Sequence, residues 1–132
     1  MKRTGILHAE LSALVATLGH GDTLVIGDAG LPVPAGVRCI DLAVSPGVPR
    51  FQQVVDAVLS ELVVEKGLAN VEQLEAAPAA AQELSAAWPG DVPLERVAHA
   101  ELKAASRTAH AVVRTGETTP YCNLVLVAGV PF

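Results

Sequence analysis

The chain has 132 residues and a formal net charge of −5, and it is 51% hydrophobic but only 17% charged, against ~25% charged residues in a typical soluble domain. Its Lys and Arg residues are scattered, which argues against nucleic-acid binding, because neutralisation of phosphates supplies most of that affinity. So little charged surface on a small chain predicts an oligomer whose subunit contacts cover part of the apolar surface.

Cysteine usage and the N-terminal segment favour a cytoplasmic protein. Cys39 and Cys122 are far apart and form no C-x-x-C, which suits a reducing compartment. The N-terminal apolar stretch is interrupted by His8 and Glu10 and does not have the pattern of a signal peptide. No apolar run approaches the ~20 residues of a membrane span. The length predicts one domain over residues 1–132.

Helix and strand patterns alternate along the first half of the chain. Apolar residues at helical spacing predict a first helix over 8–18, which Gly19 ends. The wholly apolar run 23–27 predicts a strand buried on both faces, and a second strand is predicted over 37–44. After a turn rich in Pro and Gly, an apolar helical face predicts a helix over 50–62.

The same alternation continues in the second half. Residues 62–69 either extend the preceding helix or form a third strand, and their β-branched pair and Gly67 favour the strand. Pro78 interrupts the following Ala- and Glu-rich stretch, which predicts a helix over 79–87. Strands are then predicted over 94–98, 110–116 and 123–130, with a helix over 99–109. The alternation predicts an α/β fold in which helices flank a central sheet.

The chain lacks the short motifs of common nucleotide, metal and acyl-transfer sites. It has no G-x-G-x-x-G after a strand, no G-x-x-x-x-G-K-[ST], no H-E-x-x-H, no Cys/His cluster at zinc spacing and no G-x-S-x-G. Polar residues remain at predicted strand ends, where ligand sites of α/β sheets gather. They are His20, Asp22, Asp28, His99, Tyr121 and Asn123. Such side chains bind polyols through paired donors and acceptors, and His transfers protons near neutral pH.

Each of these residues also has a purely structural interpretation. The pattern equally allows His20 to cap the first helix and Asp28 to form an Asx-turn. It allows His99 to be an exposed residue at a helix start and Tyr121 to be a half-buried turn aromatic. Asn123 could simply bond to the turn backbone. Taken one at a time, the residues leave the structural and the functional interpretation open.

Four blocks of the sequence resemble the D-ribose pyranase branch of the ribose pyranase and fucose mutarotase superfamily. They are LGHGDTLVIGDAGLPVP at 18–34, IDLAVSPGVPRFQQVV at 40–55, HAELKAAS at 99–106 and VVRTGETTPYCNLVLVAGVPF at 112–132. The resemblance runs nearly end to end and is weakest over about 68–93. The fucose mutarotase branch usually reads closer to ADANFP where this chain has GDAGLP, which favours the ribose branch.

The resemblance implies an activity, a site and an assembly. The family interconverts the β-pyranose and β-furanose forms of D-ribose, uses no cofactor or metal, and forms pentameric rings that pair into decamers. His20 stands at the position of the family's catalytic proton donor. The matching substrate-binding positions are Asp28, His99, Tyr121, Cys122 and Asn123, with Cys122 expected to contribute backbone.

The spacing of His20 and Asp28 suggests a site shared between subunits. They lie eight residues apart across a strand, and extended chain of that length spans ~26 Å at ~3.3 Å per residue. One sugar cannot easily contact both ends of one strand, so we expect a neighbouring subunit to supply part of the site. Two other functions stay open: a mutarotase for L-fucose or another aldose, and a non-catalytic sugar-binding accessory protein.

Overall fold

Six short strands pair into one mixed sheet in the computed structural model, which describes residues 1–132. In chain order the strands are β1 (Thr23–Gly27), β2 (Arg38–Asp41), β3 (Val64–Asn70), β4 (Leu94–Val97), β5 (Ala111–Arg114) and β6 (Leu124–Ala128). Their order across the sheet is β2-β5-β1-β6-β3-β4. The apolar run that forms β1 therefore lies in the interior of the sheet, and its last four residues are buried.

One reversed strand determines which loops meet. β5 runs parallel to both β1 and β2, and β3 runs parallel to β4. β6 is antiparallel to β1 and to β3, so β1 and β3 point the same way. The carboxyl ends of the five codirectional strands thus lie at one edge with the start of β6. We call this side the carboxyl edge and the opposite side the amino edge.

Helices cover both faces of the sheet. They are α1 (Ala9–Thr17), α2 (Phe51–Leu59), α3 (Gln73–Ala76), α4 (Pro78–Ala87) and α5 (His99–Ser106). A core of 22 buried residues, including Leu11, Val55 and Leu84, packs α1, α2 and α4 against one face. A second core of six residues, including Leu102, packs α5 against the other face. Full burial of one such side chain contributes about 1.5–3 kcal/mol, so the larger core dominates stability. The predicted α/β fold is confirmed.

Local chemistry explains where the helices begin. The Nδ1 of His8 accepts a hydrogen bond from the Leu11 amide at 3.2 Å and caps α1. Pro78 is the first residue of α4, a position where a missing N–H costs nothing. Ala77 has non-helical dihedrals and separates α3 from α4, so the interruption predicted at Pro78 is confirmed.

The strand ends differ from the prediction by a few residues. The predicted strand 37–44 ends at Asp41, because the Asp41 carboxylate accepts the Ala43 amide at 3.0 Å and turns the chain. The predicted strands 110–116 and 123–130 are likewise shorter than expected. The ambiguous segment 62–69 forms a strand, β3.

Candidate functional site

Four of the predicted site residues line one cavity at the carboxyl edge. The cavity has a volume of about 410 Å³, and its lining includes Asp28, His99, Tyr121 and Asn123. Asp28 follows β1, His99 opens α5 after β4, and Asn123 directly precedes β6. The strand order places these loops side by side, at the end of the sheet where α/β proteins bind ligands.

Asp28 combines a turn with a half-buried carboxylate. Its Oδ1 accepts a hydrogen bond from the Gly30 amide at 2.9 Å, so the Asx-turn that the sequence pattern allows is present. Burial raises the pKa of the Asp28 carboxyl, although hydrogen bonds from Gly30 and Asn123 and the nearby His99 act against that rise. The turn uses Oδ1, which leaves Oδ2 available to accept a hydrogen bond from a ligand hydroxyl.

A chain of hydrogen bonds connects Asp28 to His99. The Asp28 amide donates to Oδ1 of Asn123 at 3.0 Å, and Nδ2 of Asn123 donates to Oδ1 of Asn70 at 3.1 Å. The same Asn70 oxygen lies 3.4 Å from Nδ1 of His99. A backbone amide can only donate, so each side-chain amide has one possible orientation. The oxygen of Asn70 therefore favours a proton on Nδ1 of His99 and a free Nε2 lone pair.

Tyr121 packs against His99 in a constrained backbone conformation. Its φ is +60°, a region that bulky residues rarely adopt and that clusters at binding sites. The two rings meet edge to face, with centroids 5.4 Å apart and an interplanar angle of 82°. The contact restricts the His99 ring and brings the aromatic surface of Tyr121 to the cavity wall.

Two carboxylates hold the loops around the cavity. Glu72 accepts the His99 amide at 2.9 Å through Oε1 and fixes the start of α5, and this bond lowers the pKa of Glu72. Glu117 is only 8% exposed and accepts the amides of Phe51 and Thr119, both at 3.1 Å. Burial alone would raise the pKa of Glu117, but these hydrogen bonds and that of the Thr119 side chain hold it below its ordinary value.

Cys122 points away from the cavity. Its side chain is 1% exposed and belongs to the larger core, where Sγ accepts a hydrogen bond from Nε2 of Gln73 at 3.5 Å. Burial raises the pKa of the Cys122 thiol to about 11. The side chain of Cys122 is therefore unavailable to a ligand in the cavity, which leaves only its backbone for such a contact.

His20 lies at the amino edge, away from the other candidates. It precedes β1, and its Nε2 lies 2.7 Å from Oε2 of Glu65. The five residues of β1 stand between His20 and Asp28, a separation of about 16 Å at ~3.3 Å per residue. One chain therefore does not bring His20 and Asp28 to the same cavity. Asp22 also lies at the amino edge, where its carboxylate accepts the Gly19 amide at 2.8 Å.

The sequence patterns did not single out several supporting residues. Asn70 and Gln73 are buried polar residues in the segment where the family resemblance is weakest. Glu117 lies inside a block that carries the resemblance, yet its contact with Phe51 spans 66 residues of sequence. A polar residue directly after the predicted strand 62–69 was the available signal for Asn70.

The structure offers neither a metal cluster nor a membrane-spanning helix. No three His, Cys, Asp or Glu side chains are grouped in a way that could hold a metal ion. None of the helices is long and apolar enough to cross a membrane.

Comparison with known proteins identifies the family. The sequence profile of the RbsD / FucU transport protein family matches residues 1–131. The chain belongs to this family. The D-ribose pyranase of Variovorax paradoxus is 54% identical and that of Paracidovorax citrulli 52% identical, and both alignments cover all of each chain. The resemblance drawn from the four sequence blocks is confirmed.

Solved structures of family members share the fold. RbsD from Bacillus subtilis, complexed with D-ribose, has a TM-score of 0.95 at 44% identity, and the match covers both chains completely. The fucose mutarotase from Streptococcus pneumoniae, in complex with L-fucose, has a TM-score of 0.77 at 19% identity and covers both chains completely. The second match shows the fold alone.

Proposed function

We propose that the protein is a D-ribose pyranase, which interconverts the β-pyranose and β-furanose forms of D-ribose. The observation that carries the proposal is full-length identity of 52–54% to proteins of that name. The match to RbsD in complex with D-ribose supports the same substrate. A cavity lined by carboxylate, imidazole, phenol and amide groups suits a polyol.

The reaction consists of proton transfers around a ring opening. A proton is delivered to the ring oxygen while the anomeric hydroxyl loses one, which breaks the bond between the anomeric carbon and the ring oxygen and gives the open-chain aldehyde. A different hydroxyl then attacks the carbonyl carbon and loses its proton, and the carbonyl oxygen gains one. Protons balance over the cycle, and no redox step or covalent intermediate is needed. General acid–base catalysis of this kind contributes about 10²–10⁴-fold.

In this proposal His20 transfers the proton and the carboxyl-edge residues orient the sugar. Asp28 accepts hydrogen bonds from sugar hydroxyls through Oδ2, and His99 accepts one through Nε2. Tyr121 and Asn123 complete the set of donors and acceptors, and Cys122 contributes backbone. The chemistry requires neither a cofactor nor a metal.

We further propose that each site lies between two subunits, so that His20 of one chain meets the cavity of another. Supporting the proposal, one chain separates His20 from the cavity by the length of β1. Exposed apolar side chains, including Val44, Leu74 and Phe132, supply surface for assembly. Family resemblance suggests pentameric rings that pair into a homodecamer, and the cysteine usage favours a cytoplasmic location.

Saturation-transfer NMR on D-ribose tests the function. We expect the wild-type protein to accelerate exchange between pyranose and furanose signals, and His20→Ala to lose at least ~10²-fold of that acceleration while still binding ribose. Ribose binding without exchange in the wild type would identify a sugar-binding accessory protein. Exchange of L-fucose anomers without exchange of ribose ring forms would identify a mutarotase.

A further inference from the structure

Glu65 contacts the imidazole that the proposed function makes the proton carrier. Its Oε2 lies 2.7 Å from Nε2 of His20, and the two side chains are 45% and 64% exposed, respectively. An exposed contact of this kind contributes little to stability, even when both groups are charged. The contact therefore calls for an explanation other than folding.

The backbone of β3 is irregular at Glu65. Val64 pairs with Ala128 and Lys66 pairs with Val127, so Glu65 is an extra residue without a partner on β6. This is a β-bulge, a feature that re-aims a side chain and is over-represented beside active sites. Because of the bulge, the Glu65 side chain does not follow the regular alternation of side chains between the two faces of the sheet.

Gly129, just beyond β6, provides space for the bulged residue. A Cβ at Gly129 would lie 3.3 Å from Cβ of Glu65, which is closer than most such contacts, and 3.4 Å from its backbone nitrogen. The Gly129 amide also donates to the Val63 carbonyl at 2.8 Å, which fixes the start of β3.

The loop that carries His20 is fixed on the other side of the contact. The Gly21 amide donates to the Ala128 carbonyl at 2.8 Å, and Gly21 has a φ of +84°, which only glycine adopts readily. The Asp22 carboxylate accepts the Gly19 amide at 2.8 Å. Both His20 and Glu65 therefore project from anchored backbone.

We propose that Glu65 is a positioning residue for His20: its carboxylate accepts a hydrogen bond from Nε2–H and turns Nδ1 toward the sugar. A neutral imidazole has one donor and one acceptor nitrogen, so a carboxylate at Nε2 leaves the lone pair on Nδ1. Nδ1 takes the proton from one sugar oxygen and returns it to another, with the proton on Nε2 unchanged. The proposal rests on the proposed function of His20.

Ring nitrogen shifts and exchange kinetics together test this role. In ¹⁵N-labelled wild-type protein above neutral pH, the His20 shifts should report the Nε2–H form. Glu65→Ala should give a mixture of both tautomers and lower kcat for ribose exchange about tenfold, with KM little changed. Glu65→Gln retains a carboxamide oxygen that accepts a hydrogen bond from Nε2–H. It should restore most of the wild-type His20 shifts and most of the wild-type kcat.

A matched control is available at an ion pair between β3 and β4. Lys66 and Glu95 form an ion pair at 3.0 Å with similar exposure, so Glu95→Gln removes a comparable surface pair and should change neither the His20 shifts nor kcat. Gel filtration of each variant checks assembly, and if Glu65→Ala fails to assemble, Glu65→Asp takes its place with the same expectation.

The outcomes separate the two proposals. An active wild type whose Glu65 variants keep its kcat and its His20 shifts would overturn the positioning role and leave the function standing. A wild type without ribose exchange would overturn the function and, with it, the role of Glu65.

Discussion

A single backbone amide orients three side chains at the cavity. The Asp28 amide fixes Asn123, Asn123 fixes Asn70, and the oxygen of Asn70 selects the Nδ1–H form of His99. The donor and acceptor pattern offered to a ligand is thus set before the ligand arrives. Such preorganisation reduces the ordering cost of binding.

Asp28→Asn should raise the thermal stability of the protein and lower its activity. Because burial raises the folded-state pKa of Asp28, the group favours folding below its unfolded pKa, and this contribution is lost as pH rises through the folded value. The charged Asp28 therefore costs stability at pH 7, and Asn, which keeps an oxygen for the Gly30 amide, should raise Tm. Ribose exchange should fall about tenfold, since a charge-assisted acceptor is lost. A lower Tm in calorimetry at pH 7 would contradict this account.

Asn70→Leu should weaken both the fold and sugar binding. It leaves Nδ2 of Asn123 and Nδ1 of His99 without their shared partner, and an unpaired buried polar group costs about 1–3 kcal/mol. Urea unfolding should show that loss, and KM for ribose should rise. Gln82→Ala on the exposed side of α4 is the control and should change neither value.

At the scale of elements, the packing of α4 on β3 depends on the absence of a side chain. Gly67 lies beneath the indole of Trp88, at the end of α4, and a Cβ there would overlap the ring. Trp88 cannot move away easily, because it is buried and its Nε1 donates to the Val92 carbonyl at 2.8 Å.

A pair of glycine substitutions tests that packing. Gly67→Ala should lower the free energy of unfolding by about 1–3 kcal/mol, the usual cost of overpacking a core. Gly90→Ala should have little effect, because its Cβ would meet no atom within 4 Å. Equal urea midpoints for the two variants would show that the Trp88 contact is unimportant.

Local sequence patterns predicted most helices and strands but not which of them lie beside one another in the fold. The apolar run 23–27 became β1 without change, because its signal lies in the residues themselves. β2 ended early because one side chain, that of Asp41, turns the chain. The meeting of Asn70 with His99 depends on the pairing of β3 with β4, a long-range property that no local pattern contains. The bulge at Glu65 likewise arises only from pairing with β6.

At the scale of the whole molecule, the two edges of the sheet carry different residues of the proposed active site. The carboxyl edge carries the cavity with Asp28 and His99, and the amino edge carries His20 with Glu65. A sheet of this size keeps the edges apart within one chain. An assembly that places the amino edge of one chain on the cavity of another would join them, and a head-to-tail contact of that kind forms a ring when its rotation closes.

Mixing two inactive variants tests this central claim most directly. His20→Ala lacks the proton carrier, and the double variant Asp28→Asn/His99→Ala lacks sugar contacts, so each alone should show almost no ribose exchange by saturation-transfer NMR. After unfolding and joint refolding in equal amounts, sites shared between neighbouring subunits should recover about a quarter of wild-type exchange, since a quarter of random neighbour pairs combine both intact halves. A mixture that stays inactive, beside a wild type that refolds to full activity, would contradict a site built from two chains.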